Sequence, residues 1–187
     1  MNPRENVRSN MVDGAARLLA TQGVEGTSFK EVLAISDAPR GSVYNHFPGG
    51  KSELLHAALD RVSGRGVDTM EAARGQCPTA VLERFLGLWR GVLDYSDLGA
   101  GCAVVAVTVT GPDGELLDHV GTIFRNWTDH LAELFLVGGM SEDQAHRMAT
   151  IAIAASEGAV LLSRAQRSRE PFDEVANSLL DMVRGLT

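Results

Sequence analysis

The sequence predicts an all-α protein of about nine helices, with a small three-helix head, residues 1–50, carried on a larger helical body, residues 51–187. Three observations lead there. Apolar residues recur at spacings of three and four along most of the chain. Capping serines and first-turn prolines recur between glycine breaks. No stretch of alternating apolar and polar residues runs into a hairpin turn.

The first helix is predicted over 3–22, where Asn2-Pro3 opens it and Val7, Met11, Ala15 and Leu18 form one stripe; Gly23 and Gly26 stop it. Ser28-Phe29-Lys30-Glu31 reads as a capping box that opens a short second helix to about Ile35. After the connector Ser36-Asp37-Ala38, Pro39 is expected to begin a third helix of about two turns, ending near Phe47. A fourth helix runs from Lys51 to about residue 73 on Leu54, Leu55, Ala58, Leu59 and Val62, and Gly75 to Pro78 breaks it.

The fifth helix, about 79–95, is apolar on two faces, Val81-Phe85-Leu88-Val92 and Leu82-Leu86-Trp89-Leu93, and so belongs between neighbours. Cys102–Thr110 has strand propensity, yet no partner strand is available and a short buried helix is expected. Gly111-Pro112-Asp113-Gly114 turns into a seventh helix, about 115–137, with Val120, Ile123, Phe124, Trp127, Leu131 and Leu134 inward; Gly138-Gly139 ends it. Ser141 and Gln144 form another capping box, opening an eighth helix to about Arg167 that is rich in small residues such as Ala152, Ala155 and Gly158. Pro171 starts the ninth, where Phe172, Val175, Leu179, Met182 and Leu186 repeat at spacings of 3, 4, 3 and 4. This seam fits either a core face or an intermolecular four-helix bundle, in which helices eight and nine meet their copies about a two-fold axis.

With 44% hydrophobic and 22% charged residues, the chain is neither disordered nor of low complexity. Apolar runs such as Cys102–Val109 fall short of the roughly 18 residues of a membrane span, and MNPRENVRSN lacks the apolar stretch of a signal peptide. A cytoplasmic protein with no membrane partner is therefore expected, with Cys77 and Cys102 as reduced thiols. Arginine outnumbers lysine 15 to 2, a bias that fits a GC-rich bacterial source. Residues 1–51 carry six Lys/Arg against five Asp/Glu, net +1, whereas 52–187 carry eleven against nineteen, net −8. A phosphate-binding surface therefore has to be local to the head.

Several enzyme signatures fail on inspection. Gly50-Lys51-Ser52 resembles the end of a P-loop, but Asn45 stands at the first glycine position and no strand precedes it. Neither Gly-x-Ser-x-Gly nor His-Glu-x-x-His occurs. His119 and His130 share a helix face about 16 Å apart, too far for one metal ion. No enzymatic activity, cofactor or metal is expected.

The head has the outline of a helix-turn-helix, whose second helix enters a DNA major groove. In the third helix, Val43 and Phe47 make the core face, and Arg40, Ser42, Tyr44, Asn45 and His46 surround the rest. Gly41 is costly inside a helix unless something must come close. Arginine can fork onto guanine and asparagine onto adenine, while hydroxyls and imidazole position phosphates. Lys51, at a helix N-terminus, makes a phosphate seat. The same side chains would also suit a solvated polar helix, and spacing alone leaves both readings open.

The stretch Phe29–Leu55, FKEVLAISDAPRGSVYNHFPGGKSELL, resembles the signature of the TetR/AcrR family of bacterial transcriptional regulators, with Arg40-Gly41-Ser42, Tyr44, Phe47, Lys51 and Glu53-Leu54 in place. Gly101-Cys102 and Ser156-Glu157-Gly158-Ala159 are similar to a family branch that also carries the Pro-Gly-Gly-Lys insertion. The resemblance implies that Ser28, Arg40, Ser42, Tyr44, Asn45, His46 and Lys51 contact double-stranded DNA and that Gly41 permits close approach. It implies a homodimer that spans a palindromic operator, acts as a repressor, and is released by a small, largely apolar, aromatic effector.

Two residues depart from the family pattern: Asp37 stands where a turn glycine is usual, and Pro39 where a hydroxyl cap is usual. In the body, Phe85, Trp89, Phe124 and Trp127 suit plain core or the lining of a ligand pocket, and the resemblance favours the pocket. Glu157, on a face with Ile153 and Leu161, could anchor a ligand donor or cation, face the dimer seam, or pair with Arg164. The alternative function is a small-molecule binding protein that acts through a protein partner instead of DNA.

Overall fold

The computed structural model describes residues 3–39, 43–110 and 114–186. Among the described residues there are nine α-helices and no strand: α1 Pro3–Gly26, α2 Phe29–Ser36, α3 Val43–His46, α4 Gly50–Glu71, α5 Pro78–Tyr95, α6 Ala103–Thr110, α7 Gly114–Val137, α8 Glu142–Gln166 and α9 Glu170–Leu186. They form two compact units, one of Met1–Gly64 with Cys102–Ile123, the other of Arg65–Gly101 with Phe124–Thr187.

In the first unit, α1 packs against α2 and α6. Met11, Ala15 and Leu18 of the predicted stripe are buried, as are Leu54, Leu55, Ala58 and Leu59 of α4. The expected break at Gly23 takes the form of a kink, with φ 71° and ψ −170°, after which the helix continues to Gly26. Ser28 caps α2, its hydroxyl accepting from the Glu31 amide at 3.3 Å. Asp37 ends α2 in the left-handed region, φ 51° and ψ 34°, a conformation that aspartate tolerates better than most residues. Arg61 of α4 donates to Asp13 Oδ1 at 2.8 Å and to Ser9 Oγ at 3.2 Å, fixing α4 against α1.

One expected boundary is corrected. Pro39 does not begin α3: it lies in the non-helical segment after Asp37, and the described part of α3 is Val43–His46. Arg40, Gly41 and Ser42, and the turn residues 111–113, lie outside the described residues.

In the second unit, α5 packs on α8 and α9, and α8 packs on α9. Pro78 opens α5 after Cys77. The capping box at α8 is complete, Ser141 and Gln144 each serving the other's backbone amide. Ser163 Oγ accepts from the Phe172 amide at 3.1 Å, which ties the start of α9 to the end of α8. Gly138 is required by a close approach: a Cβ there would stand 2.7 Å from the Gln76 carbonyl oxygen.

His119 and His130 meet different partners within their own units, Asp60 at 2.9 Å and Glu71 at 3.1 Å. Glu71 also takes a hydrogen bond from Arg74, which holds its carboxyl below the usual range. By length and composition alone α8 could cross a bilayer, with an 18-residue mean hydropathy of 1.3, but half of that stretch is buried inside the unit and Glu157 falls within it.

The ninth helix resolves into two faces. Phe172, Ala176, Leu179 and Val183 are buried, whereas Met182 and Leu186 of the predicted seam are 46% and 41% exposed. On α8, Ile151, Leu161 and Leu162 are likewise exposed beside Ala154.

Replacing Gly138 by alanine should cost about 1–3 kcal/mol, because the neighbour that must yield is backbone. Ser141→Ala should cost about 0.5–2 kcal/mol through the lost cap. Thermal unfolding checks both, each kcal/mol lowering Tm by about 2–4 °C in a chain of this size; an unchanged Tm for Gly138→Ala would contradict the close approach.

Candidate nucleic-acid interface

The candidate reading helix is held from below by its apolar residues. Val43 and Phe47, one turn apart, are 2% and 0% exposed, and the Phe47 amide donates to the Val43 carbonyl at 2.8 Å. The polar residues between them cannot share that face. Tyr44 is 73% exposed and Asn45 exposed, while His46 is half-buried. The Tyr44 ring meets Phe29 edge-on, with centroids 5.9 Å apart, so its direction is set by α2 even though it stands in solvent.

The start of α4 is built around a charged cluster. Gly50 takes φ 76°, a conformation open to glycine, and the Gly49 amide donates to Glu53 Oε2 at 2.9 Å. Glu53 in turn lies 3.7 Å from Arg8, whose guanidinium sits 4.9 Å above the Phe47 ring. Lys51 Nζ donates to the Val24 carbonyl at 2.8 Å, in the last turn of α1. An ammonium carries three donors, so this bond leaves Lys51 with hydrogens for a phosphate. Ser28 is half-buried, and its hydroxyl oxygen is engaged as the α2 cap.

The structure thus brings Tyr44, Asn45, His46 and Lys51 onto one short stretch of chain, while Arg40, Gly41 and Ser42 lie outside the described residues. The sequence reading missed Arg8, which reaches this cluster from α1. Its signal was indirect: Glu53 needs a cation on the far side from Gly49, and only tertiary structure supplies it.

The five candidate ligand residues all belong to the second unit. Phe85, Trp127 and Glu157 are buried, at 5%, 7% and 9% exposure, whereas Trp89 and Phe124 are half-buried. Phe124 and Trp127 stack edge-to-face, 5.8 Å apart. A Cβ at Gly66 would stand 3.3 Å from Trp127 Nε1, so the glycine lets the indole lie on the α4 backbone. A shallow groove of about 390 Å³ lies on the opposite face of α5, lined by Thr69, Glu83, Arg84, Gly87, Leu88 and Gly91, and none of the five residues borders it.

Comparison with known proteins completes the picture. Residues 11–58 match the family of bacterial regulatory proteins, tetR family, and residues 78–178 match the C-terminal domain of LmrA/YxaF-like transcriptional regulators. The chain is 33% identical to the HTH-type transcriptional regulator MT0206 of Mycobacterium tuberculosis over 94% of this chain and 93% of that one. It is 23% identical to the HTH-type transcriptional repressor DhaR of a Mycobacterium species, over 91% and 89%. The crystal structure of the regulatory protein TetR from Rhodobacter sphaeroides shares the fold with a TM-score of 0.82 at 17% identity, covering 92% of this chain and 96% of that one. An α-helical head that presents a pinned, polar-faced third helix, joined to a body of this outline, places the chain in the TetR family of bacterial transcriptional regulators, which bind DNA.

Proposed function

We propose that this regulator is a homodimeric repressor of the cytoplasm, which binds a palindromic operator and leaves it when a small, largely apolar effector occupies the second unit. One observation carries the DNA-reading part: the burial of Val43 and Phe47 forces Tyr44 and Asn45, between them in the described part of α3, outward. Tyr44 and Asn45 then contact bases or phosphates, His46 and Lys51 the phosphate backbone, and Arg40, Gly41, Ser42 and Ser28 complete the set implied by the family signature. The name of the DhaR relative supports repression.

Dimerisation through α8 and α9 is supported by the exposed apolar residues Ile151, Leu161 and Leu162 on one helix and Met182 and Leu186 on the other, with small residues between that allow close approach. Phe85, Trp89, Phe124, Trp127 and Glu157 serve as the effector site. Release is linkage: an effector that binds better to the conformation with the wrong head spacing lowers operator affinity, and the operator lowers effector affinity by the same factor. Adjacent major grooves lie about 34 Å apart, so a small change in spacing suffices.

The experiment that tests this reading is selection of bound sequences from random duplex DNA by the purified protein. A palindromic motif is expected, and no enrichment at low salt would overturn it. On the selected site, Arg40→Ala should weaken binding by about 1–3 kcal/mol, and Lys51→Ala should lower the salt slope by about 1. Lys51→Ala should also lower Tm, because it removes one of the two hydrogen bonds to the Val24 carbonyl and the direct tie between α1 and α4. Leu162→Glu should give monomers by size-exclusion chromatography and reduce operator affinity by about 100-fold or more, the loss of two-headed binding. A dimer that survives this change would exclude α8 from the interface.

A further inference from the structure

The turn between α3 and α4 has little in its own sequence to hold it. Pro48 has no amide hydrogen, and Gly49 and Gly50 bring the widest backbone freedom of any residue. Yet this turn separates His46 from Lys51, two groups proposed to face phosphate, so its shape fixes how the end of α3 and the start of α4 approach one duplex together. Two bonds close it from within: the Gly50 amide donates to the Phe47 carbonyl at 3.0 Å, and the Gly49 amide to Glu53 Oε2 at 2.9 Å.

A third attachment comes from outside, 39 residues before Phe47 in the chain. Arg8 of α1 sets its guanidinium carbon 4.9 Å from the centre of the Phe47 ring, and its Nη2 lies 3.7 Å from Glu53 Oε1. One cation therefore meets both ends of the turn: the ring that anchors the reading helix and the carboxylate that holds the Gly49 amide. Phe47 is 0% exposed and cannot swing away, so the core lends the arrangement its rigidity. The Arg8 and Glu53 side chains are 45% and 35% exposed, and an ion pair so open to water adds little to folding. Its charge matters more at this place: Glu53 stands two residues from Lys51, where an unbalanced carboxylate would repel a phosphate, and Arg8 offsets it.

We propose that Arg8 is a positioning residue for DNA reading: its guanidinium, laid on Phe47 and paired with Glu53, holds the α3–α4 turn so that Tyr44 and Asn45 meet the groove in the same pose in which Lys51 meets the backbone. Arg8 itself touches neither base nor phosphate in this role. The inference rests on the operator-reading proposal above and adds to it a residue from outside the helix-turn-helix. Without the pin, the reading pose is only part of the population, and affinity for a specific site falls by that fraction. Binding to unrelated DNA needs charge alone and is insensitive to the pose.

The test titrates the full-length wild type, Arg8→Gln and Arg8→Lys against the duplex recovered by selection and against a scrambled duplex of the same length and composition. Two salt concentrations are used, and Tm is recorded for each protein. Arg8→Gln is expected to lower affinity for the selected duplex by about 2- to 5-fold per head, hence about 5- to 30-fold on a two-headed site, the range of an exposed cation–π contact. Its affinity for the scrambled duplex and its salt slope stay those of the wild type. Arg8→Lys keeps the cation but loses the planar face, and is expected to fall between the two. An unchanged ratio of selected to scrambled affinity in Arg8→Gln, whether or not Tm falls, would overturn the positioning role. So would a salt slope lower by about 1, which would make Arg8 a phosphate contact. Should Arg8→Gln fail to fold, Arg8→Lys decides by the same ratio. A wild type that does not discriminate the two duplexes would overturn the operator-reading proposal, and the inference with it.

Discussion

The hydrogen bond from Lys51 to the Val24 carbonyl is the constraint on which the first unit turns. The last carbonyls of a helix have no partner within it, and α1 kinks at Gly23 before it ends at Gly26. Thr27 takes the Gly23 carbonyl at 2.8 Å and Lys51 takes that of Val24. Because Lys51 sits in the first turn of α4, the end of α1 and the start of α4 are joined directly. Arg61, almost three turns further along α4, adds the pairing with Ser9 and Asp13. Two attachments along one helix define a direction as well as a position for α4 against α1.

How much of this was legible in the sequence depends on the range of the interaction. Ser28, Ser141 with Gln144, and the glycine breaks act within a few residues, and they gave the nine helices and nearly all their boundaries. Pro39 misled because a first-turn proline and a proline in an extended connector look alike until the conformation of Asp37 is known. Lys51 and Val24 are 27 residues apart, and no local pattern couples them. Gly138 was recognised as a helix stop, but its second duty, making room for the Gln76 carbonyl, is a matter of packing between segments. On α9 the repeat at 3 and 4 was visible, yet periodicity is blind to which side faces the core; burial separates Phe172 and Leu179 from Met182 and Leu186.

The second unit carries polar groups where stability alone would favour carbon. Trp89 Nε1, the Ser156 hydroxyl and the Glu157 carboxylate are buried among helices otherwise packed through Leu82, Leu86, Ala149, Ala152 and Phe172. The indole N–H of Trp89 and the Ser156 hydroxyl have no partner among the described residues, and a buried donor left so costs about 1–3 kcal/mol. The capping box on α8 and the Ser163 tie to Phe172 are the compensating local features, since both strengthen the helix pair that frames the polar groups.

The short helix α6 has a different consequence. Its sequence, Ala-Val-Val-Ala-Val-Thr-Val-Thr, is dominated by β-branched residues that disfavour helix, and Thr108 and Thr110 turn their hydroxyls back onto its own carbonyls. Eight such residues would not hold a helix in water. The segment is helical because Val104 and Val107 are buried and α1 packs along it. The amide protons of α6 therefore have no protection of their own against solvent exchange, and their exchange rates report the opening of α1, a built-in gauge of how firmly the first unit is closed.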